Sequence, residues 1–154
     1  MSKLRMLGTT GIKRVLVVDD EEIMHKTIRR CVESWFSMEI KVTGFWTFWN
    51  FVWAWLVDKH VEVTGFRSPE DLLKWLPVIV KDVDPFEILV LTSYKLTGMK
   101  GTDLILTIQR LYGSAINTVV MTSLPDEVQR DLPGVPMVIK PDGLTKLREF
   151  MLKM

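Results

Sequence analysis

Five short apolar runs, separated by stretches with helical periodicity, constrain the fold of this chain more than any other feature. The runs are Arg14-Val-Leu-Val-Val-Asp-Asp20, Val61-Glu-Val-Thr-Gly-Phe66, Ile88-Leu-Val-Leu-Thr92, Asn117-Thr-Val-Val-Met-Thr122 and Pro136-Met-Val-Ile-Lys140. Short apolar runs of this kind are typical of strands that are buried on both faces, as in a parallel sheet. Strands that alternate with helices predict crossovers that cover both faces of the sheet. We therefore expect an α/β fold with a doubly wound, five-stranded parallel sheet.

Apolar residues at helical spacing fill the stretches between these runs. The first such stretch spans about residues 23–35, and the last spans about residues 144–154. Ser68 is typical of a helix N-cap, and Pro69 follows at the first helical position. We expect Pro77 to end or kink that helix, because proline lacks the N–H that an interior helical position donates.

The composition excludes several classes of protein. The chain has 154 residues, of which 47% are hydrophobic and 25% charged, as in a single globular domain rather than a disordered chain. A net charge of +1 provides no field that would attract nucleic acid or an anionic membrane. One cysteine excludes an internal disulfide framework and a thiolate zinc cluster. Because the start also lacks the apolar stretch of a secretory signal, we expect a cytoplasmic protein. We expect an N-terminal extension at 1–12 and one domain at 13–154.

The stretch 37–60 inserts a dense aromatic run between the first helix and the second strand. Its periodicity predicts an aromatic helix over 45–57, of about four turns, with a narrow polar stripe. The apolar side of this helix includes Phe45, Trp49, Trp53 and Leu56. The helix is too short to span a bilayer and lacks Lys and Arg to hold anionic headgroups, which disfavours a membrane. It can pack on its own domain, but an interface with a second copy or another protein is the favoured interpretation, because exposed aromatic patches promote association.

Polar residues close four of the five predicted strands. They are Asp19 and Asp20 on the first strand, Thr92 and Ser93 on the third, Thr122 and Ser123 on the fourth, and Lys140 on the fifth. The carboxyl ends of parallel strands meet at one edge of the sheet, so we expect these side chains to form one site. Adjacent carboxylates can hold a hard cation such as Mg²⁺. A lysine and a threonine nearby can complement phosphoryl oxygens, although Lys140 can equally pair with the acids.

Four motifs occur in this order: VLVVDD at 15–20, ILVLTSYKLTGMKG at 88–101, VVMTS at 119–123 and VIKP at 138–141. Together they resemble the receiver domain of two-component response regulators, the CheY-like family, from about Lys13 to the C-terminus without the insert. The resemblance implies a flavodoxin-like fold and a metal-binding acidic pair at Asp19 and Asp20. It also implies a switch threonine at Thr122 and a phosphate-contacting lysine at Lys140.

The sequence departs from the receiver pattern at the phospho-acceptor position. Receivers use an aspartate at the end of the third strand, where this chain has Ser93 or, one residue earlier, Thr92. A hydroxyl without a general base is a far poorer acceptor, and the loss of one acid weakens Mg²⁺ binding. Lys100 stands where the family commonly has Asp, and only about two helical turns fit between Thr122 and Lys140. We therefore expect a pseudo-receiver with weak or vestigial Mg²⁺ binding at its acidic pair.

These features predict a receiver-like signalling module, not an enzyme, that acts through protein contacts without phosphorylation. The partner would be a second copy or another signalling protein, such as a histidine kinase, held by the aromatic helix. The alternatives are a phospho-responsive response regulator or phosphotransfer enzyme that uses Ser93, Thr92 or the pair Asp19 and Asp20, and a module that binds a membrane surface through the Trp-rich helix. Since the chain ends with the last helix of the fold, we expect no output domain. We also expect His25 and His60 to be isolated surface residues.

Overall fold

The computed structural model describes residues 10–36, 61–140 and 143–154. Within them, five strands form one sheet in the order β2-β1-β3-β4-β5, and every neighbouring pair is parallel. The strands are β1 (Arg14–Val18), β2 (Glu62–Phe66), β3 (Ile88–Ser93), β4 (Asn117–Thr122) and β5 (Met137–Ile139). This confirms the predicted five-stranded parallel sheet.

Five α-helices cover the two faces of the sheet in the described part of the chain. They are α1 (Glu22–Phe36), α2 (Pro69–Asp82), α3 (Gly101–Tyr112), α4 (Pro125–Asp131) and α5 (Leu144–Lys153). Val15 and Val17 of β1 belong to the buried cluster that α1 and α5 complete, whereas Leu16 and Val18 pack with α2 and α3. Helix α4 packs on the second face through Val128. Alternate residues of one strand thus serve opposite cores, which is the doubly wound arrangement.

Strand β3 lies at the centre of the sheet, between β1 and β4, and all six of its residues are buried. The chain runs from β1 to one side of the sheet and then crosses back to β3 on the other side. The carboxyl ends of β1 and β3 therefore flank the switch point, where ligand sites of open α/β sheets lie. Asp19, which follows β1, and Ser93, which ends β3, both lie at this edge.

Helix α2 begins as predicted, but it does not end at Pro77. The backbone N–H of Asp71 donates to Ser68 Oγ at 3.2 Å, so Ser68 caps the helix. The helix continues through Pro77 to Asp82. Pro77 is exposed, so the carbonyl that loses its N–H partner can be hydrated, while Leu76 is buried in the core and holds the helix in place.

The predicted N-terminal extension at 1–12 and the predicted aromatic helix involve residues that the structure describes only in part or not at all. The aromatic helix over 45–57, with Phe45, Trp49, Trp53 and Leu56, lies outside the described residues and stays a prediction. Near the N-terminus, Ile12 is buried in the core, and the Thr10 hydroxyl donates to the backbone carbonyl of Met151. No helix among the described residues is long and apolar enough to cross a membrane.

Candidate functional site

A pocket of about 140 Å³ opens at the carboxyl edge of the sheet. Its lining includes residues from all four groups that the sequence predicts to meet there: Asp19, Asp20, Ser93, Thr122, Ser123 and Lys140. Thr92 is not among the lining residues. The parallel register explains the convergence, because β1, β3 and β4 end at the same level of the sheet.

Lys140 bridges the first and third strands at the base of this pocket. Its Nζ lies 3.1 Å from Asp19 Oδ2 and 3.1 Å from Ser93 Oγ. The side chain of Asp19 is only 2% exposed, and its Oδ1 accepts the backbone N–H of Glu21 at 2.9 Å. Both carboxylate oxygens therefore have partners within the protein. Of the two uses that the sequence leaves open for Lys140, pairing with an acid is the one this arrangement contains.

Ser93 and Thr92 point to different surroundings, because successive residues of a strand face opposite sides of a sheet. Ser93 faces the pocket and Lys140. The Thr92 hydroxyl is buried and donates to the backbone carbonyl of Ser93 at 3.0 Å. Gly101, at the start of α3, packs closely on this same carbonyl, where a Cβ would collide with it. Of the two candidate acceptor positions, Ser93 is therefore the one that lines this pocket at the carboxyl ends of the strands, which we call the strand-end pocket.

The remaining predicted residues lie on the rim and wall of the pocket. Thr122 is buried, and its Oγ1 accepts the backbone N–H of Leu124 at 2.8 Å. Its backbone carbonyl accepts the N–H of Lys140 at 2.9 Å, which fixes the start of the lysine side chain. Asp20 is exposed at the rim.

A second polar cluster, which the sequence does not predict, lies beside the pocket. Tyr94 follows Ser93 directly and is 3% exposed; its hydroxyl donates to Asp131 Oδ2 at 2.5 Å. Lys100 Nζ donates to the same oxygen at 3.2 Å and lies 5.8 Å from the centre of the Tyr94 ring. The cluster thus joins the loop after β3 to the last residue of α4. The sequence marks Lys100 as unusual, but nothing in it pairs Lys100 with an acid 31 positions away.

The pKa values of this second cluster shift in the directions that its hydrogen bonds require. The hydrogen bond to the Asp131 carboxylate, together with burial, raises the pKa of Tyr94. The hydrogen bonds from Tyr94 and from Lys100 lower the pKa of Asp131. The same carboxylate raises the pKa of Lys100. Over the neutral range the cluster therefore holds one carboxylate, one ammonium group and a protonated phenol.

His25 is not the isolated surface residue that the sequence suggests. Its Nε2 lies 2.8 Å from the backbone carbonyl of Asp19, and its ring packs against Gly65 so closely that a Cβ there would collide with it. His25 is partly buried. Gly65 leaves room for the ring, a contact between α1 and β2 that no local sequence pattern reveals.

A resident Mg²⁺ does not fit the donors that the described residues present at this pocket. Among them, no three His, Cys, Asp or Glu side chains form a group that could hold a metal ion. Asp19 is already paired, and Ser93 supplies a neutral hydroxyl where a third carboxylate would be needed. The weak Mg²⁺ binding expected at Asp19 and Asp20 stays a prediction.

No family model and no curated protein matches this sequence. Solved structures do match. The signal receiver domain of an HD domain-containing protein from Pseudomonas fluorescens Pf-5 has 18% identity and a TM-score of 0.61, over 96% of this chain and 90% of that one. The chemotaxis response regulator CheY4 of Vibrio cholerae has 11% identity and a TM-score of 0.58, over 92% of this chain and 99% of that one. This chain has the CheY-like receiver fold.

Other solved structures with the receiver fold belong to longer chains. The anti-anti-sigma factor PhyR of Bartonella quintana has 18% identity and a TM-score of 0.55, and the match covers 89% of this chain but only 44% of PhyR. The likeness to all three proteins concerns the fold. In this receiver fold, the strand-end pocket lies at the switch point of the sheet, and Ser93 is the last residue of its central strand.

Proposed function

We propose that this chain is a receiver-like signalling module that acts through protein–protein contacts and does not depend on phosphorylation of its strand-end pocket. The observation that carries the proposal is the contact between Ser93 and Lys140 at that pocket. A hydroxyl stands at the end of β3, where receivers use a carboxylate. The receiver fold and the signalling proteins among its structural neighbours support the general class.

The surroundings of Ser93 do not favour nucleophilic attack on a phosphodonor. A serine hydroxyl needs a general base within hydrogen-bond reach to become a good nucleophile. Among the described residues, the side chain that contacts Ser93 Oγ is the Lys140 ammonium, which has no lone pair to accept a proton. The Asp19 carboxylate, which could act as a base, is held by Lys140 and by the N–H of Glu21. This arrangement supports the proposed non-enzymatic, phosphate-independent role.

The test is the mass of the intact protein after incubation with a small phosphodonor and Mg²⁺. We expect no gain of phosphoryl mass in the unmutated protein. Ser93→Asp places a carboxylate at the end of β3, and Asp20→Asn in that background removes one acid from the rim of the pocket. Comparing these variants shows whether the pocket accepts a phosphoryl group once a carboxylate acceptor is supplied. A phosphoryl group mapped to Ser93, Thr92, Asp19 or Asp20 of the unmutated protein would contradict the proposal and favour the phospho-responsive alternative.

The partner in this proposal is a protein: a second copy, a histidine kinase or another signalling component. The match to part of the anti-anti-sigma factor PhyR supports a partner of this kind. The predicted aromatic helix over 45–57 is the proposed contact element, on the grounds of its four Trp and three Phe.

A further inference from the structure

We propose that Lys140 is the built-in cation of the strand-end pocket, and that its ammonium group excludes divalent metal ions from the position beside Asp19. This inference rests on the proposed function and deepens it. Phosphoryl transfer in such a pocket would depend on a bound metal ion, and the inference gives a physical reason why that ion does not bind. Lys140 is thus a specificity-determining residue, which keeps Mg²⁺ out rather than helping to bind phosphate.

Both oxygens of the Asp19 carboxylate already have partners within the protein. Oδ2 contacts Lys140 Nζ at 3.1 Å, and Oδ1 accepts the N–H of Glu21 at 2.9 Å. A metal ion that bound Asp19 through Oδ2 would have to displace the ammonium group, since two cations cannot share one carboxylate oxygen at contact distance without strong repulsion. The main-chain bond at Oδ1 holds the carboxylate in the orientation that faces Lys140.

The Lys140 side chain cannot easily leave the position beside Asp19. The backbone N–H of Lys140 is bonded to the carbonyl of Thr122, and its side chain is 28% exposed, so the ammonium group is held inside the pocket from the end of β5. Withdrawing it would leave Asp19, which is 2% exposed, without a counter-ion. An unpaired buried carboxylate is strongly unfavourable.

The side chain at position 93 is neutral, which favours the contact between Lys140 and Asp19. A carboxylate there would give the pocket a further negative charge and a further metal ligand, and would compete with Asp19 for the ammonium group. The Ser93 hydroxyl oxygen instead accepts a hydrogen bond from Lys140 Nζ at 3.1 Å and adds no charge. Among the residues that the structure describes, the charged side chains that line the pocket are the three acids Asp19, Asp20 and Glu21 and the two lysines Lys95 and Lys140. Removing Lys140 makes this lining more negative by one charge and leaves Asp19 without its ammonium partner.

The experiment measures Mn²⁺ binding to the full chain by electron paramagnetic resonance of the free ion, with Mn²⁺ as a probe that shares the preference of Mg²⁺ for oxygen ligands. Lys140→Met removes the ammonium group but keeps an unbranched side chain. We expect Mn²⁺ to bind this variant roughly tenfold or more tightly than the unmutated protein, since ligand charge tunes such sites over decades of affinity. Lys140→Arg keeps the charge and should bind no better than the unmutated protein.

Lys95→Met is the matched control. Lys95 lines the same pocket but is exposed, so its loss removes the same formal charge without freeing Asp19. We expect little gain in Mn²⁺ affinity from Lys95→Met, and we expect Asp19→Asn to abolish the gain in the Lys140→Met background. Tight Mn²⁺ binding by the unmutated protein, or equal gains in the two lysine variants, would overturn the inference.

Lys140→Met could also fail to fold because Asp19 is stranded. In that event, Mn²⁺ should restore the circular dichroism of the folded protein in Lys140→Met or in the milder Lys140→Gln, and failure to restore either variant counts against the inference. The outcome is distinct from that of the proposed function. Metal binding by the unmutated protein overturns the role of Lys140, whereas phosphoryl mass on the unmutated protein overturns phosphate independence.

Discussion

The neutral side chain of Ser93 leaves Lys140 with one carboxylate partner, Asp19, among the described residues. The acidic member of this ion pair is buried, since the Asp19 side chain is only 2% exposed. A buried ion pair of this kind contributes little net stability compared with apolar residues, but the loss of one partner leaves an uncompensated charge. The two members of the pair therefore depend on each other.

We expect Lys140→Met to lower the free energy of unfolding by about 3 kcal/mol in metal-free buffer, because Asp19 loses its cation. Urea denaturation followed by circular dichroism measures this loss. The exposed Lys95 lines the same pocket, so Lys95→Met should change the free energy of unfolding by less than about 0.5 kcal/mol. Equal losses in the two variants would mean that the pairing with Asp19 is not what Lys140 contributes.

Tyr94 supplies a second prediction at the same scale, through its raised pKa. The folded state holds the phenol protonated more firmly than the unfolded chain does. Its contribution to stability is therefore complete below the ordinary tyrosine pKa of about 10 and is lost as the pH rises through the folded value. An ultraviolet absorbance titration should show one of the two tyrosines ionising late. Tyr94→Phe should remove that late step and Asp131→Asn should move it down; one unshifted step in the unmutated protein would contradict the assignment.

At the scale of elements, helix α4 is held by two different interactions, an apolar one at its middle and a polar one at its last residue. It has seven residues, and Val128 anchors it in a small core cluster with Tyr94 and Ile105. Asp131, its last residue, bonds to Tyr94 and to Lys100 in the loop after β3. A helix this short does not persist by itself in water. The polar cluster therefore fixes α4 against the loop that carries the strand-end pocket.

We expect Asp131→Asn to speed hydrogen exchange of backbone amides in residues 124–136 while the amides of β1 and β3 stay protected, because local opening of α4 needs no change in the central sheet. Mass-spectrometric exchange on peptides measures both regions at once. Asp126→Asn is the control, since Asp126 lies exposed in the first turn of the same helix. Exchange that rises uniformly over the whole chain in Asp131→Asn would show instead that the cluster stabilises the entire domain.

The sequence predicts the elements better than it predicts their contacts. The sheet could be predicted because buried parallel strands are apolar over their whole length, as β3 is. The shortness of α4 follows from the small number of residues available for it. Pro77 does not end its helix, because the proline is exposed while the neighbouring Leu76 packs in the core. Tyr94 and Asp131, which are 37 positions apart, could not be paired before the fold was known.

At the scale of the whole molecule, the predicted site could be assembled because the topology brings the strand ends together. The choice between Ser93 and Thr92 needed the exact phase of β3, which sequence motifs fix only to within one residue. His25 was misjudged for a related reason, since its environment comes from Asp19 and from Gly65 on a neighbouring strand. Sequence thus predicts which residues reach the site, and the tertiary structure decides how they pair.

The last prediction concerns the assembly of the whole chain through the aromatic helix over 45–57. Four large aromatic side chains that each bury 150–250 Å² correspond to very roughly 15–25 kcal/mol of gross burial free energy at about 25 cal/mol per Å². The net charge of +1 provides little repulsion between copies. An exposed surface of this kind would therefore associate, and we expect light scattering over a concentration series to show a dimer or a larger assembly.

Trp49→Asp combined with Trp53→Asp places two charges on the predicted apolar side of that helix, and we expect it to convert the assembly to a monomer. Trp75→Asp is the control, because Trp75 is an exposed tryptophan on α2 and is 50% accessible, so a charge there should leave the mass unchanged. A monomer at all concentrations in the unmutated protein would exclude self-association through this segment. Sedimentation with anionic liposomes then distinguishes the membrane-surface alternative, which predicts pelleting that the Trp49→Asp/Trp53→Asp variant loses. A monomer that stays in the supernatant leaves contact with a different protein, or packing on its own domain, as the role of the aromatic residues.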